Sequence, residues 1–123
     1  MPEELIARAL LACSMMGSGV LLLWIAEAAA NGRLRRNQLA GIRTAATLAS
    51  DEAWLAAHRR ARPSTRWAGW CAVLGGVPAV LPVPLPIFAG AALLGCLGMI
   101  GLVLYGAAVG TAAARTAGSG SDS

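Results

Sequence analysis

The sequence predicts an all-α integral membrane protein, with three transmembrane helices and a cytoplasmic amphipathic helix between the first and second. Of its 123 residues, 57% are hydrophobic and only 13% charged, too apolar a balance for the surface of a soluble domain this small. Two apolar stretches, Leu5 to Ala30 and Trp67 to Ala114, each reach the roughly 20 residues that a helix needs to cross a bilayer, and the second can cross twice. Every basic residue is arginine, and eight of the ten (Arg33, Arg35, Arg36, Arg43, Arg59, Arg60, Arg62 and Arg66) lie between these stretches. Basic residues in a short loop between spans stay on the cytoplasmic side. The expected protein is therefore a multi-pass protein of the cell membrane, its N-terminus outside and its arginine loop and C-terminus inside.

Residues 1–30 are expected to form the first span. Glu4 and Arg8 are four apart and can pair on one helix face while Arg8 snorkels outward. Glu27, Asn31 and Gly32 close the inner end. Ala26-Glu27-Ala28 offers small residues at the spacing of a signal-peptide cleavage site, but the acidic start at Glu3 and Glu4 and the long apolar run favour an uncleaved helix. Cleavage would also export the arginine loop.

Residues 67–86 give the second span and its turn. Trp67 and Trp70 suit the aromatic belt at the cytoplasmic interface, and Pro78, Pro82, Pro84 and Pro86 remove backbone donors and force extended structure near Leu81 to Pro86. A re-entrant hairpin over Trp67 to Pro86 is the alternative, since about 17 residues is the lower limit for crossing. Residues 87–114 form the third span, strewn with Gly90, Gly95, Gly98, Gly101, Gly106 and Gly110. Small residues four apart, as in Gly106-x-x-x-Gly110, let helices approach closely. Internal packing is preferred over a homo-oligomer formed through this helix. Residues 115–123 read as a flexible polar tail.

Residues 31–66 carry the information. Ser50 is a good N-cap, and Asp51 and Glu52 in the first turn complement the helix dipole, so a helix from Asp51 to about Arg62 follows. Ala53, Trp54, Ala57, His58 and Ala61 share one face of it, suited to a membrane surface or the underside of the spans.

In this segment the chain resembles the SdpI family, named for an immunity protein against a secreted sporulation-delaying toxin. The resemblance rests on Asn37, then Gly41-Ile42-Arg43-Thr44, Thr47 and Ser50, then Glu52 with Trp54, and finally His58-Arg59. It covers roughly Ala28 to the third span. Many members have Pro-Trp after the Arg-Thr, where this chain has Ala45 and Ala46, and the larger members carry additional spans. The resemblance implies a bacterial membrane protein with a role in immunity or signalling. Its expected partners are membrane lipid and a peptide toxin, a transcriptional regulator held at the membrane, or a larger membrane complex. A structural accessory subunit of such a complex is the alternative function.

Asn37, Gly41, Arg43, Thr44, Thr47, Ser50, Glu52, Trp54, His58 and Arg59 are the candidate partner- or lipid-binding residues. Arg43 stands first, because a guanidinium beside a flexible glycine can bind a lipid phosphate or a partner carboxylate; an internal pair with Asp51 or Glu52 weighs equally. His58 is the only histidine, with no thiol or carboxylate cluster at ligand spacing, and reads as structural beside Trp54, itself an interfacial anchor. Thr44 and Ser50 read as turn formers and caps, with no general base to make them nucleophiles. Cys13, Cys71 and Cys96 suit buried free thiols. No Walker loop, dinucleotide fingerprint or zinc motif occurs. No enzyme activity, cofactor or metal is expected, and the basic loop is assigned to topology in preference to nucleic acid.

Overall fold

The computed structural model describes residues 2–37 and 40–121. The helices are α1 (Pro2–Ala30), α2 (Ala45–Leu48), α3 (Asp51–Gly76) and α4 (Leu85–Ser121), with a 3-10 turn at Val77–Val80. Two of them are long and apolar enough to cross a membrane, Glu3–Ala30 and Leu85–Ala117. Their apolar side chains mostly face outward: Leu5, Ile6, Leu10 and Leu21 on α1 and Leu93, Leu94, Leu97 and Leu104 on α4 are more than half exposed. A soluble protein would bury such faces; a bilayer solvates them.

α3 lies between α1 and α4, which barely touch one another. Small residues permit this closeness. A Cβ added at Gly19 would lie 2.5 Å from the Gly69 carbonyl, and one at Gly69 would lie 2.8 Å from that of Gly19. Gly75 near the C-terminal end of α3 meets Gly95 of α4, and Gly106 sits against Ala61 and Ser64. The glycines of α4 thus serve internal packing as expected, except Gly90 and Gly101, which have nothing close.

Several boundaries differ from the sequence reading. The amphipathic segment and the second apolar stretch are one helix, running unbroken through Pro63. It carries six charged residues between Asp51 and Arg66, which sets it apart from α1 and α4. The helix after the proline turn begins at Leu85, where Pro84 O accepts from Ile87 N at 3.0 Å, and Pro86 falls in a first turn that needs no donor. The expected irregular tail is also helical through Ser121. The thiols are free, but Cys13 is exposed, and Cys71 and Cys96 are only partly covered, the first against Gly98 and the second 3.3 Å from Met15 Sδ.

Arg8 does not snorkel away. It pairs with Glu4 at 3.3 Å, and also donates to Leu81 O at 2.9 Å and to Val83 O, with its guanidinium 4.0 Å over the Phe88 ring. The alternating prolines cannot satisfy these carbonyls by a helical ladder. Arg8 does so from another helix. At the other end of α1, Glu27 pairs with Arg62 and, at 3.4 Å, with Arg66.

Candidate functional site

The described residues between α1 and α3 are held by hydrogen bonds that the sequence itself supplies. Gly32, at φ +81°, ends α1 in the left-handed region where glycine is at ease, and Leu34 N donates back to Ala28 O at 2.9 Å. Asn37 Nδ2 donates to Arg35 O at 2.7 Å and Ala40 O at 3.1 Å, while its Oδ1 accepts from Ala40 N at 2.7 Å. One side chain thereby closes the turn. Arg43 Nε adds a bond to Asn37 O at 2.8 Å.

Gly41 follows at φ +102°. A Cβ there would lie 2.7 Å from both His58 Nε2 and Trp54 Cη2, so the position requires glycine for its backbone and for space. The close approach lets Ile42 N donate to His58 Nε2 at 2.8 Å. His58 Nδ1 lies 2.8 Å from Trp54 O. Because Nε2 accepts, Nδ1 carries the proton, and the ring is neutral. Burial pushes the His58 pKa below its ordinary range, against the opposing effect of the Trp54 carbonyl. The two rings stack with centroids 4.2 Å apart, and Trp54 Nε1 donates to Leu34 O at 2.9 Å.

Thr44 caps α2 in a reciprocal box with Thr47, whose fully buried hydroxyl also donates to Ile42 O at 2.8 Å. Thr44 Oγ1 lies 3.2 Å from Thr111 Oγ1 on α4. Ile42 reaches the same helix at Gly110, which an added Cβ would bring to 3.1 Å from Ile42 Cδ1 and 2.9 Å from Ala57 O. Ser50 caps α3 by accepting from Ala53 N at 3.0 Å. Arg59 Nε donates to Ala30 O at 3.3 Å, answering an end carbonyl of α1. Of the candidate residues, Asn37, Gly41, Thr44, Thr47, Trp54 and His58 thus converge on one folded element, Ser50 and Arg59 brace it, and Glu52 is exposed in the first turn of α3.

Residues 33–111 match the sequence profile of the SdpI/YfhL protein family. The chain belongs to that family. The SdpI match ends at Thr111, the residue that Thr44 touches on α4. No curated protein and no solved structure matches the chain. The SdpI family is not a known enzyme family, and among the described residues no group of His, Cys, Asp and Glu could hold a metal.

The structure decides between alternatives that the sequence left open at two points. Arg43 forms no ion pair with Asp51 or Glu52. Asp51 instead takes Arg36 Nε at 2.8 Å, and the same guanidinium reaches Leu48 O at 2.9 Å, because Arg36 faces the start of α3 while Arg43 is drawn back to Asn37. The face Ala53, Trp54, Ala57, His58 and Ala61 is buried throughout. It packs beneath the loop and against α4, so it is the underside of the bundle that it meets and not an open membrane surface. Leu34, Arg36, Gly110 and Thr111 are the members that sequence reasoning missed. Arg36 and Asp51 are fifteen apart, without a periodic signal to join them.

Proposed function

We propose that this SdpI-family membrane protein crosses the bilayer three times and presents the Gly32–Arg66 segment to the cytoplasm as a prefolded docking element. The supporting observation is the network in which Trp54 holds Leu34 while His58 and Thr47 hold Ile42. A segment serving only as a topology signal would need its arginines and nothing more. Preorganisation of this kind lowers the cost of binding a partner.

The spacing of the two polar latches supports the three-span reading. Arg8 and Glu27 are nineteen residues apart on α1, roughly 29 Å at about 1.5 Å per residue, close to the ~30 Å hydrocarbon core of a bilayer. Arg62 and Leu81, their partners, are also nineteen residues apart along α3 and its 3-10 turn. The stretch of α3 between them would cross beside α1, and Asp51–Ala61 would stand in the cytoplasm against the end of α4.

The function this arrangement best serves is SdpI-like immunity to a membrane-active peptide, with or without capture of a regulator at the membrane. It is a binding role and not a catalytic one. Deletion of the gene should sensitise cells to such a peptide, and the wild-type chain should restore resistance; unchanged sensitivity across a broad peptide panel would exclude immunity. A second reading, an accessory subunit of a larger complex, draws on the bare apolar face of α4. Purification in mild detergent tests it, through recovery of a stoichiometric larger partner.

A further inference from the structure

α1 and α4 diverge on either side of α3, and the space between them at the inner end is a cavity of about 390 Å³. Its walls are Leu21, Leu22 and Ile25 from α1 and Val103 and Ala107 from α4, and residues 40–44 of the loop close it above. A volume in the range of roughly 300–1,000 Å³ is that of a small-molecule site. These two walls are wholly aliphatic, while Thr65 and His58 of α3 stand at the back. The walls continue into the exposed apolar faces of both helices, since Leu21 is 54% and Leu104 64% exposed, so the cavity is reached from the side by anything dissolved in the surrounding hydrocarbon.

The closed end has the opposite character. Arg43 contributes to it, is exposed, and uses Nε on Asn37 O. Among the described residues its guanidinium has no carboxylate partner, and of the arginines in that condition it alone lines the cavity, whereas Arg8, Arg36, Arg62 and Arg66 are each paired. A guanidinium with its fork of donors uncommitted suits a phosphate. An aliphatic slot open to lipid, ending at an unneutralised arginine at the level where headgroups lie, matches one molecule: a phospholipid with one acyl chain in the slot and its phosphate at Arg43.

We infer that the cavity between α1 and α4 is a binding site for an anionic phospholipid, with Arg43 as the headgroup residue and Leu22 and Ala107 as facing walls of the acyl slot. This rests on the membrane reading of the chain but not on the immunity role. The lipid would fill the gap that α3 leaves between α1 and α4 beneath the loop, and its phosphate would lie against the folded motif.

The full chain in nanodiscs of equimolar phosphatidylglycerol and phosphatidylcholine, released and weighed by native mass spectrometry, provides the test. The expected result is one retained phosphatidylglycerol, at about tenfold preference over phosphatidylcholine. Ala107→Phe and, from the opposite wall, Leu22→Phe should each abolish retention of either lipid, at an unchanged helical circular dichroism spectrum. Arg43→Gln should keep a bound lipid and lose the preference. Equal retention of both lipids by the wild-type chain would overturn the headgroup assignment, and undiminished retention by a folded slot variant would overturn the site. Topology labelling of the same variants separates failure of this inference from failure of the membrane reading.

Discussion

The Ile42 N–H donates to His58 Nε2 at 2.8 Å, so the backbone of the motif loop is held by the neutral form of a buried imidazole. The stability of the loop should therefore depend on pH. In the unfolded chain the ring takes its proton near pH 6.5, and in the folded chain burial holds the value lower. Above pH 6.5 both states are neutral and stability is complete. As the pH falls from there through the folded value, the unfolded state binds the proton first and stability declines. Thermal unfolding in detergent between pH 8 and pH 5 should show this decline, and His58→Gln, which keeps an acceptor without a titration in this range, should flatten it. An unaltered slope would separate His58 from the effect.

Gly41→Ala should damage the motif more than an alanine usually does. The new Cβ would stand 2.7 Å from His58 Nε2 at a positive φ, so the loop must move off the ring. Strain of this class costs about 1–3 kcal/mol, to which an orphaned Ile42 N–H adds a further 1–3 kcal/mol or so. Gly101→Ala, at a helical position with nothing within 4 Å, is the matched control and should be neutral or slightly stabilising. Equal melting of the two variants would contradict the account of Gly41.

Arg43→Lys should fail nearly as badly as Arg43→Ala in toxin protection or partner co-purification, compared at matched membrane abundance. If its planar fork binds a phosphate or carboxylate, charge alone cannot replace it. A loss of about tenfold in apparent affinity, roughly 1.4 kcal/mol, is expected for each. Full activity of both variants would reduce Arg43 to one of eight arginines that set topology.

Much of the architecture was legible because it follows from local rules. Apolar length predicts α1 and α4, Ser50 and Thr44 are caps where the sequence puts caps, and the spacing of Trp54 and His58 predicts their stack. The continuity of α3 was not legible, since the charged half of this helix and its apolar half obey different patterns, and packing against α4 carries it across Pro63. Nor was the role of Arg8. Its partners are carbonyls more than seventy residues away, freed by prolines, and backbone acceptors leave no mark in a sequence. Gly110 reads as half of a helix-packing pair and Thr111 carries no signal of its own until the loop is seen to rest on them.

The central claim is that three crossings put the motif and the end of α4 on the cytoplasmic side. With Cys13, Cys71 and Cys96 replaced by alanine, single cysteines at Pro82 and at Ser119 can be probed in intact cells with an impermeant thiol reagent. The account predicts rapid labelling of Pro82→Cys, in the turn that Arg8 latches, and labelling of Ser119→Cys only after the cells are permeabilised. Rapid labelling of Ser119→Cys in intact cells would mean an even number of crossings or an inverted chain, and would contradict it.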